Sequence, residues 1–383
     1  GTCILEKNSK WENAKMIYPY IFLFDIFAIL SLSGKMKKSP LQQAQTELGL
    51  GITLLSIFIL AVFVGVNSKR ADYEAYLKIF KTSPLIGADD FFSYAKSQHT
   101  EFGYNYFQSL IKTIGGSATV FFIIFCFTSF LFRYSFYVGF VSKRDIGIVF
   151  LAFFAHEFLR KDCVQIRNGF ASAIVLYSLV FLYRKQRMRF ILGILFASTF
   201  QMTSLVALPL VIARTERSAK YEKFLLLLFI ISFIISVLFP IKKMFYILER
   251  VGVLPPAVAN YLYWSEYSKA MSLLNPQVLK QLVICVYVWK NRHYFFKDKK
   301  IFFLFQIYLV STVYYLVFRD FEILAGRFGS LFYAVEAPML VLIVSHAKKN
   351  VFLKKFALCG FYFCFLLLNV RTYTALGWNP QWN

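Results

Sequence analysis

Apolar runs recur along the whole 383-residue chain and are separated by short polar loops. Most of these runs approach the ~20 residues that an α-helix needs to cross the hydrocarbon core of a bilayer. The predicted spans are residues 16–33, 49–66, 117–134, 145–160, 164–183, 190–212, 223–240, 276–290, 301–318, 328–346 and 356–370. The pattern predicts an all-α, polytopic membrane protein with about 11–12 transmembrane helices, in which residues 1–383 form a single membrane domain.

Basic residues concentrate in short loops between the predicted spans. More than half of the 43 Lys and Arg residues lie in loops 34–48, 133–144, 184–189, 213–223, 290–300 and 347–355. Inner loops of membrane proteins are enriched in these residues, so we expect these loops on the inner side. Topology thus accounts for the formal net charge of +23. Nucleic acid is not an expected partner, because the chain lacks the basic and aromatic stripe of a nucleic-acid-binding module.

Composition supports the same class. Hydrophobic residues make up 58% of the chain and aromatic residues 20%, and the mean hydropathy is +0.57. Values of this kind are typical of a chain that is embedded in lipid rather than dissolved in water. The expected environment is therefore a membrane, and membrane lipids are expected partners.

A basic loop lies on each side of the apolar stretch 190–212. A single crossing would place the later basic loops outside. We therefore predict that 190–212 enters and returns as two half-helices that meet near Gln201 and Thr203. Such a turn is tolerated in a bilayer only where protein or a water-filled cavity covers it, and broken helices often border binding sites. The alternative is one ordinary span with a weak charge signal.

The outer side then carries two large loops, 67–116 and 241–275, and a short loop, 319–327. Loop 67–116 contains two amphipathic stretches that predict helices lying at the membrane surface or over a cavity. Asp72 lies at the start of the first stretch, and Glu101 lies at the start of the second. Both helices also suit a structural lid, and both acids also suit a solvated helix face.

Arg167 and Arg327 are the main cationic candidates on the outer side. An arginine at membrane depth is costly unless it is satisfied, so it marks a functional site by default. Both arginines are predicted at outer N-terminal ends of helices, where the helix dipole adds to their charge. Two such ends would form an anion site that suits a diphosphate, since guanidinium binds phosphate oxygens as a bidentate fork.

Other charged residues surround these two positions in the sequence. Arg160, Lys161 and Arg319 would widen the anion site. Alternatively, Arg167 extends to a lipid headgroup, and Arg327 pairs with Asp320 or Glu322. The residues alone leave these alternatives open.

The order of several short motifs resembles the EpsG family, a branch of the Wzy-like bacterial polysaccharide polymerases. The motifs are D-Y-x-x-Y (Asp72, Tyr73, Tyr76), E-x-G-Y (Glu101, Gly103, Tyr104), R-x-G-x-A-x-A (Arg167, Gly169, Ala171, Ala173), an apolar F-x-x-[ST] junction, and R followed six residues later by Y (Arg327, Tyr333), with Pro338. Each motif is weak alone. Their order and their placement on the predicted outer side carry the resemblance.

The resemblance implies a glycosyltransferase with a GT-C-like architecture in the bacterial cytoplasmic (inner) membrane. It would join undecaprenyl-diphosphate-linked oligosaccharide repeat units into O-antigen, capsule or exopolysaccharide. The active site would lie on the periplasmic or extracellular side, and undecaprenyl diphosphate would be released. Donor and acceptor are both lipid-linked in such a reaction, and a chain-length regulator protein is a further expected partner. No cofactor is expected. A metal-held nucleotide sugar is disfavoured by the residues themselves, since no D-x-D arrangement is found and Asp89 and Asp90 are adjacent and so point in different directions.

Roles for individual residues follow from the resemblance and from the chemistry of glycosyl transfer. Arg167 and Arg327, with Arg160 and Arg319, would stabilise the diphosphate as charge develops on it. Glu101 and Asp72 are the candidates for a base that activates the acceptor hydroxyl. The remaining substrate-binding candidates are Tyr73, Tyr104, Gln201, Thr203, Asp320, Glu322 and Tyr333. Gln201 departs from the family pattern, which usually has histidine there, so no proton transfer is assigned to it.

Three other functions share parts of this pattern. A ligase that moves a finished glycan onto a lipid core or a protein would have nearly the same features. A flippase or other transporter would also use broken helices and membrane-depth charges. An acyltransferase would need a catalytic histidine at the surface, and His99 is the only histidine in the predicted outer loops.

Overall fold

The computed structural model describes residues 40–68, 72–97, 100–239, 241–253, 262–263, 269–346 and 350–375. Within these residues the chain is all-helical, so the predicted fold class is confirmed. The α-helices are α1 Pro40–Val66, α2 Tyr73–Thr82, α3 Phe91–Ser97, α4 Phe102–Thr113, α5 Ala118–Phe140, α6 Ile146–Phe153, α7 Ile166–Tyr183, α8 Arg187–Ser198, α9 Ala219–Leu238, α10 Ile241–Arg250, α11 Pro276–Lys290, α12 Arg292–Phe295, α13 Lys299–Val317, α14 Glu322–Gly329, α15 Glu336–Ser345 and α16 Val351–Ala375. A π-helix, Phe154–Val164, and 3₁₀ segments Lys143–Asp145, Met202–Ile212 and Tyr333–Val335 complete the described elements.

The helices follow the predicted spans closely. Five of the described helices are long and apolar enough to cross a membrane, namely α5, α7, α9, α13 and residues Val351–Arg371 of α16. Helix α14 and the following segment Tyr333–Ser345 form a bent pair with an angle of 47°. The chain is therefore a multi-pass membrane protein. The predicted span 16–33 lies outside the described residues, and the total of 11–12 crossings stays a prediction.

Polar residues at helix starts explain where several spans begin. Ser117 accepts a hydrogen bond from the backbone N–H of Val120 at the start of α5, and Ser218 does the same for Tyr221 at the start of α9. Asp298 accepts from two backbone N–H groups at the start of α13. These side chains satisfy N–H groups that have no partner within the helix, so the sequence sets these boundaries locally.

The chain divides into two compact units. The first comprises Gly1–Tyr177, Leu195–Met202 and Leu340–Asn383. The second comprises Ser178–Ile194 and Thr203–Met339. Each unit is therefore built from segments that are far apart in the sequence.

The first unit has a core of phenylalanine rings. The rings of Phe125 and Phe170 stack with their centroids 4.2 Å apart, and those of Phe170 and Phe200 are 4.6 Å apart. These contacts join α5, α7 and the end of the 195–202 segment. Elsewhere in this unit Lys355 donates a hydrogen bond to Asp145, which joins residues next to two of the predicted inner loops.

In the second unit, loops that were predicted on one side contact each other. On the basic side, Lys185 pairs with Glu216 at 2.9 Å, so loops 184–189 and 213–223 lie together. The loops 241–275 and 319–327, both predicted on the outer side, also meet, since the N–H of Met271 donates to the carbonyl of Arg319 at 2.6 Å. The segment 190–212 is broken between α8 and Met202–Ile212, at the predicted junction. That both flanking loops face the cell interior stays a prediction.

Candidate functional site

Arg167 and Glu101 form the centre of the candidate site, in the first unit. Arg167 is the second residue of α7, as predicted, and Glu101 immediately precedes α4. Nη1 of Arg167 donates to Oε2 of Glu101 at 2.6 Å, and the two side chains are 24% and 16% exposed. A short, charge-assisted contact of this kind fixes the direction of a guanidinium. The structure thus brings together two residues that the sequence singled out separately.

The second oxygen of Glu101 binds the half-helix junction. Its Oε1 accepts a hydrogen bond from the backbone N–H of Met202 at 3.1 Å. Next to it, the N–H of Gly103 donates to the carbonyl of Thr199 at 2.7 Å. A Cβ atom on Gly103 would lie 2.3 Å from Oγ1 of Thr199, so only glycine allows this approach. The E-x-G-Y turn therefore contacts the junction through one backbone–backbone hydrogen bond and one hydrogen bond to the Glu101 carboxylate.

Aromatic rings line the same place. The Arg167 guanidinium lies 5.8 Å from the ring centre of Tyr104, and Tyr76 is within its hydrogen-bonding reach. Tyr76 and Tyr104 are both buried, and their ring centres are 6.0 Å apart. Rings around a guanidinium stabilise it by cation–π interaction and exclude water from it. Tyr104 is therefore a wall of the site rather than an exposed platform for a sugar.

The D-Y-x-x-Y segment reaches the site through its second tyrosine. Asp72 precedes α2, and its side chain does not cap that helix. Tyr73 is half-buried and packs against Phe122, with ring centres 5.7 Å apart. Tyr76, one turn further on, makes the contact with Tyr104 described above. Asp72 and Tyr73 therefore lie on a helix that is anchored at the site.

Arg167 retains capacity for a ligand. Its side chain is about one quarter exposed, and its Nε is buried without a hydrogen-bond partner among the described residues. A guanidinium has five N–H donors, so pairing with one carboxylate does not exhaust it. Its position at the N-terminal end of α7 adds the positive end of the helix dipole. This arrangement is chemically able to offer N–H donors to an anion.

The sequence did not reveal a second group of charges behind this corner. Arg133 is completely buried and pairs with Asp162 at 3.1 Å. Beside them, buried Lys161 pairs with Glu157 at 3.4 Å. The four charges sum to zero, which makes their burial tolerable. Lys161 was expected to widen the anion site. This expectation is wrong, because its ammonium group is buried and paired with Glu157.

Arg133 also holds the start of α7. Its Nη2 donates to the carbonyl of Gly169 at 2.9 Å and to Oγ of Ser172 at 3.3 Å. A Cβ atom on Gly169 would lie 2.7 Å from the Lys161 carbonyl, so α7 and the π-helix are in very close contact there. The small residues of the R-x-G-x-A motif therefore serve packing and this buried network. Loop 133–144 was predicted too early, since α5 continues to Phe140 and encloses Arg133.

Arg160 belongs to the same π-helix and is half-buried. Its carbonyl accepts a hydrogen bond from the N–H of Gln165 at 3.0 Å, which closes the π-helix just before α7. His156 packs its ring against Phe365 with centres 5.0 Å apart. A packing role for His156 fits this contact.

The second unit contains Arg327, and here one expectation is wrong. Arg327 lies in the last turn of α14 rather than at the start of a helix. Helix α14 ends at Gly329, where a Cβ atom would lie 2.4 Å from the Tyr315 ring, so this contact requires glycine. The carbonyl end of a helix does not favour an anion, so the dipole argument does not apply to Arg327. Arg167 and Arg327 fall in different units, and a shared anion site stays a prediction.

The candidate residues near Arg327 in the sequence differ in their exposure and in their hydrogen-bond partners. Asp320 lies 3.9 Å from the side chain of Arg319, and it accepts a long hydrogen bond from the N–H of Lys242. Glu322 is exposed, and its N–H donates to the carbonyl of Lys269 at 2.8 Å. Tyr333 is buried, with the Lys280 ammonium 5.8 Å from its ring centre.

The Lys280 ammonium is part of a buried polar group that the sequence also did not reveal. Lys280 pairs with Glu336 at 2.9 Å, and the Tyr308 hydroxyl donates to Glu336 at 2.6 Å. Each partner comes from a different helix, α11, α15 or α13. This group fixes the segment that follows Arg327.

The residues of the half-helix junction are divided between the units. Gln201 is half-buried in the first unit, and its N–H donates to the carbonyl of Ala197. Thr203 begins the second unit, where its Oγ1 is buried without a hydrogen-bond partner among the described residues. Within the part of the chain that the structure describes, no group of three His, Cys, Asp or Glu residues is placed to hold a metal ion. His99 lies outside that part.

Comparison with known proteins gave two matches. The profile of the EpsG family matches residues 52–382. The amylovoran biosynthesis protein AmsC of Erwinia amylovora is 21% identical over 321 residues, which cover 80% of this chain and 81% of that protein. No solved structure matches the chain. The family profile covers both compact units and every residue of the candidate site.

Proposed function

Because the chain belongs to the EpsG family, we propose that it is a polymerase of lipid-linked oligosaccharide repeat units in polysaccharide biosynthesis. The similar Erwinia amylovora protein is named for amylovoran biosynthesis, which supports this pathway class. In the proposed reaction an acceptor hydroxyl attacks the anomeric carbon of the donor. The bond from that carbon to the diphosphate oxygen breaks, and undecaprenyl diphosphate leaves with the electron pair.

Arg167 is proposed to bind the donor diphosphate, and the observation that carries the proposal is its geometry. Glu101 and the surrounding tyrosines hold the guanidinium at the start of α7, while a quarter of its side chain stays accessible. Fixed positive groups in a water-poor site stabilise negative charge that develops in the transition state. Membrane burial strengthens this effect, because few waters screen the charge.

Glu101 is proposed to orient Arg167 rather than to accept a proton. Both of its oxygens already accept hydrogen bonds, from Arg167 and from the N–H of Met202. A general base must instead reach the acceptor hydroxyl directly. Asp72, at the start of the neighbouring helix α2, is therefore the preferred candidate for the base. The proposed place of reaction is the outer side of the bacterial inner membrane.

The proposal is tested by the length of polysaccharide made in a strain that lacks its own copy of the gene. The strain is complemented with the wild type, Arg167→Ala, Arg167→Lys or Arg184→Ala. We expect Arg167→Ala to leave single repeat units, because losing one such donor typically costs about 100-fold in rate or more. Arg167→Lys keeps the charge but loses the fork and should make short chains.

Arg184→Ala is the matched control, since Arg184 is exposed just beyond the other end of α7. It should make chains of normal length, with equal amounts of all variants in the membrane. Long chains in the Arg167→Ala strain would refute the role of Arg167. Long chains that accumulate on the lipid carrier when the gene is deleted would instead identify a ligase.

A further inference from the structure

A cavity of about 580 Å³ lies between the two basic loops of the second unit. Its charged lining residues are Lys185, Arg187, Arg214, Glu216 and Arg217. We call it the basic cavity. Four of these side chains are cationic and one is anionic, so the lining is strongly positive.

The carboxylates nearby neutralise only part of this charge. Lys185 pairs with Glu216 at 2.9 Å, and Arg217 pairs with Glu222 at 2.6 Å. The hydrogen bond from Lys185 holds the pKa of Glu216 below its usual range, so this carboxylate stays ionised at neutral pH. Neither Arg187 nor Arg214 forms an ion pair with any residue that the structure describes. Two exposed guanidinium groups therefore remain to attract an anion.

Arg214 is held in place by an unusual contact. The buried side chain of Gln306, inside the apolar helix α13, accepts from the N–H of Arg214 at 2.9 Å and donates to its carbonyl at 2.7 Å. The Arg214 guanidinium lies 4.9 Å from the ring centre of Tyr221. The Gln306 amide therefore fixes the backbone at residue 214. The Tyr221 ring is the contact that orients the guanidinium itself.

An apolar slot of about 250 Å³ adjoins the basic cavity, and Ala213 lines both. Its apolar lining includes Leu210, Phe224, Leu225, Leu228, Val310 and Val313. These residues come from Met202–Ile212, α9 and α13, so the slot runs along helices of the membrane region. Tyr221 and Gln306, which hold Arg214, also line the slot.

A positive cavity and an apolar slot that share a wall fit one kind of ligand, an anionic amphiphile. We propose that the basic cavity and the apolar slot together bind one anionic phospholipid, with its phosphate at Arg187 and Arg214 and an acyl chain in the slot. Guanidinium groups bind phosphate oxygens in a fork, and the apolar slot gives the acyl chain van der Waals contacts along its length. This site is separate from the donor site proposed at Arg167 and does not depend on it.

The test measures lipid binding to the purified full-length protein in detergent by native mass spectrometry and by thermal shift. The probes are phosphatidylglycerol, phosphatidylcholine with the same acyl chains, and glycerol 3-phosphate. We expect the protein to retain phosphatidylglycerol under the conditions that remove phosphatidylcholine. Arg187→Gln and Arg214→Gln should each lower the affinity for phosphatidylglycerol roughly five-fold. Val313→Phe, which fills the slot, should lower the affinity for both phospholipids.

Arg184→Gln is the control, because Arg184 lies in the same basic loop but does not line the cavity. It should leave the preference for phosphatidylglycerol unchanged. An equal loss in Arg184→Gln would overturn the proposal, since it would show a general charge effect. Equal retention of phosphatidylcholine would also overturn it. Stabilisation by glycerol 3-phosphate as strong as that by phosphatidylglycerol would overturn it in favour of a soluble phosphate ligand.

Discussion

Two arginine–carboxylate pairs lie in the first unit and differ in one respect that decides their roles. Arg133 and Asp162 are sealed from solvent at 0% and 1% exposure, and Arg133 bonds protein groups on α7. Arg167 and Glu101 are 24% and 16% exposed. A sealed pair can only stabilise a structure, whereas an accessible pair can exchange part of its contacts for a ligand. Burial therefore separates the structural arginine from the arginine that is proposed to bind the donor.

The largest expected effect is the replacement of Arg133 by methionine. Removing one partner from a buried pair leaves Asp162 unpaired, which typically costs about 3–5 kcal/mol. Arg167→Met should cost much less, because water reaches Glu101. The measurement is the free energy of unfolding from SDS titration in detergent micelles.

The double variant Arg133→Met with Asp162→Leu is the control for this effect. It removes both charges and should recover much of the lost stability, since apolar replacements of buried pairs are often tolerated. If Arg133→Met unfolded no more readily than Arg167→Met, the distinction between the two pairs would fail.

A smaller effect is expected from Gly103→Ala, which probes the docking of Glu101 on the junction. The new Cβ atom would lie 2.3 Å from Oγ1 and 2.8 Å from the carbonyl oxygen of Thr199. Overpacking of this kind typically costs about 1–3 kcal/mol. The readouts are the same unfolding titration and the length of the polysaccharide. Both stability and chain length should fall, because the shift moves Glu101 away from Arg167.

Gly360→Ala is the matched control for Gly103→Ala, because nothing lies within 4 Å of the added Cβ atom in α16. It should leave stability and chain length unchanged. Adding Thr199→Ala to Gly103→Ala should restore only part of the loss, since the carbonyl clash remains. Full activity in Gly103→Ala alone would contradict a role for this contact.

The smallest expected effect is that of Glu101→Gln. Glutamine still accepts from the N–H of Met202, but its amide NH₂ group then faces Arg167 and cannot accept from Nη1, so the guanidinium is no longer held in position. We expect weaker donor binding, with KM raised about tenfold, or ~1.4 kcal/mol, and kcat nearly kept. The measurement is transfer between purified lipid-linked repeat units as a function of pH. A fall in kcat beyond about 100-fold, with loss of the acidic limb of the pH profile, would make Glu101 the base instead.

Much of the fold was predictable from the sequence, because the apolar runs and the basic loops are local signals. The predicted spans inside the described residues coincide with helices, and the family resemblance drawn from the short motifs is confirmed. Arg167 was recognised because a charge inside an apolar helix start is visible in the sequence. Its pairing with Glu101 was not visible, since 66 positions separate the two residues.

The buried charges were also missed. Arg133 was counted in a basic loop, although the mostly apolar residues 134–141 that follow it are a local signal that α5 continues to Phe140. Its partner Asp162 is 29 positions away, in a π-helix whose geometry no simple periodicity indicates. Arg327 was misplaced because the apolar run 328–346 predicts one helix, whereas α14 begins at Glu322 and ends at Gly329. The roles assigned to the site residues stay predictions until the variants are measured.

The discontinuous make-up of the first unit has a consequence for biogenesis. Asn369 donates to the carbonyl of Ala155, 214 positions earlier, and Lys355 pairs with Asp145, 210 positions earlier. While the chain is being inserted, the segment that carries Arg167 must wait for these last residues before its unit is complete. Contacts so distant in sequence form late and slowly, and the incomplete unit exposes surfaces that can misassemble. A chain whose synthesis stopped before α16 would therefore carry the arginine site in a unit that lacks one of its helices. Such an intermediate would be a substrate for membrane quality control.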